Sequence, residues 1–169
     1  VGFPAIDLIS AGSYASPNEI FDKLQLDLTK PIVLFTQHSV TTEFEKASEQ
    51  LNPSVAAMRK LARQGAQVIM TYPNNDAGGR AIISCINELK DENNSGIQIH
   101  RSLGRYLYHG ILALAKNPEL KVVCVGNSSS GIKETPVFGC PTVNIGSRQQ
   151  GRLRGENVVD SHYDSASIV

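Results

Sequence analysis

The sequence predicts an α/β fold with one doubly wound, Rossmann-like parallel sheet. Short β-branched runs alternate with longer segments that carry apolar residues at helical spacing. Proline, glycine or polar residues bound the strand-like runs, and the chain of 169 residues is 41% hydrophobic, enough for one core. Such alternation favours right-handed βαβ units, in which helices cover both faces of the sheet.

The predicted elements follow one another in regular order. Residues 1–29 predict a connector and one short helix that begins at Ser16 or Pro17. The predicted strands are PIVLFTQ (31–37), AQVIMTY (66–72), IQIH (97–100), LKVVCV (120–125) and PTVNI (141–145). The predicted helices are 42–63, 77–90, 105–116 and 131–138. Gly65 and Gly139 are predicted helix stops, and Ser130 is the predicted N-cap of the last helix.

Residues 30–155 are therefore predicted to form one Rossmann-like domain. The segment 156–169 is polar and without clear periodicity, which predicts a tail that is frayed or cut short. The chain begins with Val1 rather than methionine, and we expect it to be a piece of a longer protein.

Bulk composition narrows the class of function. Lys+Arg and Asp+Glu number 16 each, so the chain has no overall basic field for nucleic acid or an acidic membrane. No apolar run approaches the length of a membrane span. Cys85, Cys124 and Cys140 are widely spaced, which favours buried thiols in a reducing cytoplasm over a disulfide frame or a metal site.

Polar residues gather where the predicted strands end. Ligands of open α/β sheets bind beyond the carboxyl ends of the strands, so the residues that follow each strand should share one rim. Those residues are Gln37 and His38; Asn74, Asn75, Asp76 and Arg80; Arg101 and Ser102; the loop Asn127, Ser128, Ser129 and Ser130; and Ser147 and Arg148. A histidine, arginines and a serine loop on one rim favour a phosphorylated ligand.

The stretch GNSSSG (126–131) is the strongest local pattern. Serine hydroxyls and free backbone N–H groups at a helix start favour an anion, although an ordinary serine-rich cap has the same composition. It matches neither the Walker A loop nor GxGxxG. Glu134 lies one turn further, where a carboxylate either accepts from ribose hydroxyls or only complements the helix dipole. His38 and Arg148 likewise suit either a site or a structural role.

Four segments in order resemble the hydrolysing UDP-N-acetylglucosamine 2-epimerases. They are QHSVTTE (37–43), YPNNDAGGR (72–80), GNSSSGIKE (126–134) and GCPTVNIGSRQQGR (139–152). The resemblance covers nearly the whole chain. It implies the second, UDP-binding domain of a glycosyltransferase-B-type fold, whose active site lies between two Rossmann-like halves. The N-terminal half is then the partner domain missing from this chain.

The resemblance also implies site residues. The UDP- and substrate-binding residues implied by motif position are His38, Asn74, Arg80, Arg101, Ser128, Ser129, Glu134 and Arg148. Ser128 and Ser129 match diphosphate-binding serines, and Glu134 matches the ribose-binding carboxylate. His38 is expected to assist catalysis, while the main acid and base residues belong to the missing half. Ser147 departs mildly from the threonine of some members.

The implied reaction of the intact enzyme is removal of the sugar C2 proton, anti elimination of UDP, and addition of water to give N-acetylmannosamine for sialic acid synthesis. No cofactor or metal is implied, and the intact protein is expected to be a cytoplasmic homo-oligomer. The alternatives are a non-hydrolysing epimerase, a hydrolase of a bacillosamine-type UDP sugar, a glycosyltransferase domain, or a UDP-binding module that is inactive as an isolated fragment.

Overall fold

One parallel sheet organises the chain. The structure is a computed structural model that describes residues 3–27, 29–91 and 96–169. Its strands are β1 (Ile32–Thr36), β2 (Gln67–Thr71), β3 (Ile97–His100), β4 (Val122–Gly126), β5 (Thr142–Ile145) and β6 (Val158–Ser161). Their order is β3-β2-β1-β4-β5-β6, and every neighbouring pair is parallel. This is the doubly wound order that the alternation predicts, so the fold class is confirmed.

Helices flank the sheet on both faces. They are α1 (Pro4–Ser10), α2 (Pro17–Leu24), α3 (Ala47–Arg63), α4 (Gly79–Asp91), α5 (Gly104–Ala113), α6 (Ser130–Lys133), α7 (Thr135–Phe138) and α8 (Ser165–Ile168), with 3-10 turns at Thr41–Lys46 and Leu114–Lys116. The start predicted for α2 is confirmed. Ser16 and Glu19 form a capping box there, because each side chain accepts a hydrogen bond from the other residue's backbone N–H. None of the described helices is both long and apolar enough to cross a membrane.

The side chains of β1 show how the two cores arise. All five residues of the strand are buried, and successive side chains point to opposite faces. Ile32 and Leu34 pack into a core whose other members come mainly from α2, α5 and the α7 region. Val33 and Phe35 pack into a second core with α3, α4 and α8. Burying such a side chain stabilises the fold by about 1.5–3 kcal/mol, so both faces contribute.

The segment 156–169 departs from the predicted polar tail. It forms β6, which pairs along β5, and α8, whose N-cap Asp164 accepts from the Ser167 N–H at 2.8 Å. The sequence signal was weak because β6 is a four-residue edge strand with Val159 and Asp160 exposed. The amino-terminal segment also contains α1, which the sequence does not predict. Residues 1, 2 and 28 of the predicted connector lie outside the described residues.

The predicted helix 131–138 is divided in two. Pro136 has no N–H to continue the backbone ladder, and the Thr135 hydroxyl instead donates to the Gly131 carbonyl at 2.7 Å. Glu134 sits at the junction of α6 and α7, with φ −104° and ψ −41°. The predicted stops are confirmed: Gly139 has φ +64° just after α7, and Gly65 has φ +96° shortly after α3.

Gly126→Ala should be severely destabilising. Gly126 has φ +132°, and an added Cβ would overlap the backbone carbonyl of Thr36 on the neighbouring strand. We expect a loss of about 3 kcal/mol or more in the free energy of unfolding, measured in urea. The matched control is Gly139→Ala, at φ +64° with open space around the new Cβ, which should cost only about 1–2 kcal/mol. Equal losses would contradict the proposed overlap.

Candidate functional site

The strand order reverses between β1 and β4, and a crevice opens at that point. After β1 the chain turns toward the face covered by α3, and after β4 it turns toward the face covered by α7. The loops diverge and leave space beyond the carboxyl ends of the two strands. Doubly wound sheets bind ligands at this switch point.

A cavity of about 350 Å³ occupies this rim. It has the size of small-ligand pockets in general. Five of the residues implied as binding residues line it, namely His38, Asn74, Arg101, Ser128 and Glu134. Three others, Arg80, Ser129 and Arg148, do not line it. The rule that strand ends share one rim therefore brings most, but not all, of the implied residues together.

Asn127 connects the loops around the cavity. Its Oδ1 accepts from the His38 backbone N–H at 2.7 Å, and its Nδ2 donates to the His38 carbonyl at 2.8 Å. The Asn127 carbonyl accepts from Arg148 Nη1 at 3.1 Å and from Gln149 Nε2 at 2.7 Å. Only 1% of Asn127 is exposed. One buried residue thus ties the loops after β1, β4 and β5 to each other.

His38 is a neutral hydrogen-bond donor in this setting. Its Nδ1 accepts from the Asn74 backbone N–H at 3.0 Å, so the proton of the neutral ring is on Nε2. Burial, followed by the positive charge of Arg148, lowers the pKa of His38 to about 4, while the carboxylate of Asp76 opposes the shift. At neutral pH the ring therefore offers an Nε2–H at the edge of the cavity.

Arg148 lies close enough to His38 for its positive charge to affect the imidazole. Its guanidinium is partly buried, lies 3.8 Å from the Asp76 carboxylate and donates to the Asn127 carbonyl. Burial lowers the pKa of Arg148, with Asp76 opposing that shift, but a guanidinium stays charged at neutral pH. The side chain supplies a fixed positive charge beside the cavity rather than a lining surface.

The serine loop is held by hydroxyl groups. Tyr108 Oη is 2.7 Å from Ser130 Oγ, which in turn donates to Ser128 Oγ at 3.2 Å. Because Ser130 uses its proton on Ser128, Tyr108 is the donor to Ser130. Ser128 then keeps its own proton free for a ligand in the cavity that it lines.

The N-cap prediction for Ser130 is wrong. Ser130 is the first residue of α6, and Ser129 occupies the cap position without a side-chain cap bond. The break at Glu134 shortens α6 to four residues, so local packing rather than a long helix orients the loop. The Ser130 hydroxyl points instead to Tyr108 and Ser128.

Glu134 lines the cavity, and one of its carboxylate oxygens is hydrogen-bonded to His109. His109 Nε2 lies 2.9 Å from Glu134 Oε2, and His109 is only 2% exposed. Arg80 lies apart, in the first turn of α4, and lines a neighbouring cavity of about 390 Å³ that shares Asn74 with the first. Arg101 is exposed at the mouth of the main cavity.

Two contributors were missed from the sequence: Tyr108 and His109. Asn127 was placed on the rim, as a polar residue after a buried strand, but its role as the link between the loops was not predicted. Tyr108 and His109 gave a weaker signal, a polar pair in an otherwise apolar helix (LYHGIL). Among the described residues, no group of three or more His, Cys, Asp and Glu side chains could hold a metal ion.

Known proteins are similar in sequence to this chain along nearly its whole length. A family model described as UDP-N-acetylglucosamine 2-epimerase matches residues 1–169. A GDP/UDP-N,N'-diacetylbacillosamine 2-epimerase (hydrolyzing) of Campylobacter jejuni is 29% identical over 97% of this chain and 41% of its own length. A UDP-N-acetylglucosamine 2-epimerase of Neisseria meningitidis is 30% identical over 99% of this chain and 41% of its own.

A third relative is the UDP-N,N'-diacetylbacillosamine 2-epimerase (hydrolyzing) of Legionella pneumophila, 32% identical over 95% of this chain and 40% of its own length. The chain thus spans about two fifths of the length of these relatives. The family match extends over every described strand and over the whole rim built around Asn127. This chain belongs to the UDP-N-acetylglucosamine 2-epimerase family.

Proposed function

We propose that the chain is the UDP-sugar-binding half of a hydrolysing UDP-N-acetylglucosamine 2-epimerase. The observation that carries the proposal is the cavity at the switch point, where a neutral His38, Ser128 and Glu134 meet. Hydroxyl and imidazole donors suit a diphosphate, and a carboxylate suits a ribose diol. The family match supports a UDP-N-acetylglucosamine 2-epimerase, and the names of two relatives support the hydrolysing type of reaction.

The groups around the cavity divide the ligand between them. The diphosphate would lie against the Ser128 hydroxyl and the His38 Nε2–H, with the charge of Arg148 behind them. Ser129 would contribute through its backbone, because its side chain does not line the cavity. The ribose would face Glu134, and the uracil would lie against the backbone that follows Arg101. Asn74 and Arg80 would border the sugar side.

In the intact enzyme this half would serve the departure of UDP. Loss of the C2 proton and anti elimination break the bond from the sugar to the diphosphate, and water then adds to give N-acetylmannosamine. Donors already aimed at the diphosphate stabilise the charge that develops on it, an effect commonly worth about 3–4 kcal/mol for one such donor. The acid and base that act at C2 would come from the N-terminal half, so we expect the isolated chain to bind without turnover.

A UDP-N,N'-diacetylbacillosamine hydrolase is the second candidate. The names of the Campylobacter and Legionella relatives favour it, since these relatives cover nearly all of this chain. The groups that contact the sugar ring would lie largely in the N-terminal half.

The described thiols Cys85, Cys124 and Cys140 are free, which supports a reducing, cytoplasmic setting for either enzyme.

The 169-residue chain should bind UDP through its phosphates. We expect Ser128→Ala to weaken UDP binding about tenfold or more, since hydrogen bonds to charged groups contribute about 1.5–3 kcal/mol. Arg148→Gln should also weaken UDP binding, because it removes a positive charge beside the diphosphate. The affinity for uridine should fall by less than about twofold in either variant. Titration calorimetry measures both ligands, with Arg152→Gln, an exposed arginine nearby, as the control. Equal losses for UDP and uridine would contradict the phosphate contacts, and no binding at millimolar UDP would remove the proposed function.

The longer protein that carries this chain should release a free sugar. We expect UDP-N-acetylglucosamine to give N-acetylmannosamine and UDP, followed by proton NMR. UDP-N-acetylmannosamine as the product would show a non-hydrolysing enzyme. UDP-N,N'-diacetylbacillosamine, run in parallel, tests the second candidate: faster turnover of that sugar would replace the first assignment.

A further inference from the structure

His109 is a buried polar side chain with a single polar partner among the described residues. It lies on α5, is 2% exposed, and places Nε2 2.9 Å from Glu134 Oε2. A carboxylate only accepts, so Nε2 is the donor. The other ring nitrogen, Nδ1, is buried and has no hydrogen-bond partner in the part of the chain that the structure describes. The Phe138 ring centroid lies 5.9 Å from the centroid of the His109 ring, and His109 also borders the main cavity.

This arrangement is costly for a residue that only fills the core. A buried nitrogen without a partner destabilises the fold, and a leucine would occupy similar space without that cost. Among the described residues, the hydrogen bond to Glu134 is the polar contact that offsets this cost. The imidazole is therefore better explained by what it does to the carboxylate than by packing.

Glu134 is held on one side and open on the other. Its side chain is 13% exposed, and it lines the cavity. Oε2 accepts from His109, while Oε1 has no hydrogen-bond partner among the described residues. The junction between α6 and α7 leaves the backbone of Glu134 outside regular helix, so the side-chain contact restrains the carboxylate.

We propose that His109 is a positioning residue that holds Glu134 as an acceptor for the ribose diol and thereby sets a preference for ribonucleotides. The proposal rests on the UDP-binding function proposed above. A carboxylate held in one rotamer accepts from both hydroxyls without first losing side-chain freedom. A ligand without the hydroxyls leaves Oε1 of this mostly buried carboxylate without a donor, which costs affinity.

The test compares UDP with 2′,3′-dideoxyuridine 5′-diphosphate, which lacks both hydroxyls. Titration calorimetry on the 169-residue chain should give a UDP preference of about tenfold or more for the unmodified protein. His109→Leu should reduce the preference to less than about threefold, and Glu134→Ala, which removes the acceptor, should abolish it. His109→Gln, whose amide can reach the Nε2 position, should keep most of it.

Each outcome is separable from the others. A purely structural role for His109 would weaken both ligands equally and leave their ratio unchanged, which would overturn the proposal. An unmodified chain that binds UDP but shows no preference would overturn it as well, while the UDP-binding function would stand. If the chain does not bind UDP at all, both the UDP-binding function and the positioning role of His109 are wrong. Thermal melting checks folding, and His109→Asn, whose amide is too short to reach Glu134, replaces the leucine variant if that variant does not fold.

Discussion

The two hydrogen bonds between the Asn127 side chain and the His38 backbone are the contact on which the candidate site depends. They join the loops after β1 and β4, the two strands between which the sheet reverses its order. The Asn127 carbonyl receives the side chains of Arg148 and Gln149, which brings in the loop after β5. Divergent loops would otherwise separate at a switch point. Because Asn127 is buried, water does not compete for these bonds, and the rim keeps one shape.

The chemistry of the rim depends on these hydrogen bonds of Asn127. With its backbone fixed, His38 accepts from the Asn74 N–H and stays neutral beside Arg148. The site therefore combines a fixed cation that does not titrate with a neutral donor at the cavity edge. Helix α5 supports the opposite wall, where Tyr108 orients the serine loop and His109 holds Glu134. The diphosphate and ribose ends of the proposed ligand thus have separate supports in the same fold.

Features that depend on residues close together in the sequence could be predicted, whereas contacts between distant elements could not. Strand positions alone put His38, Asn74, Arg101 and Ser128 on one rim, because the ends of parallel strands share an edge. The ribose-binding role of Glu134 was implied by the family resemblance. The contact of His109 with Glu134 was not predictable, since it depends on how α5 packs against a helix break that Pro136 creates. The N-cap position was assigned to Ser130 instead of Ser129 for the same reason. Strand β6 was not predicted, because an exposed edge strand contains few buried apolar residues that a sequence pattern can reveal.

The His38 ring reports on this arrangement most directly. Nitrogen-detected NMR of the 169-residue chain gives both its pKa and its tautomer, with and without ligand. We expect a pKa of about 4, a proton on Nε2, and a marked shift of the Nε2 signal with UDP but not with uridine. A pKa near the ordinary value of about 6.5, or an Nε2 signal unmoved by saturating UDP, would contradict a neutral His38 that donates to the diphosphate.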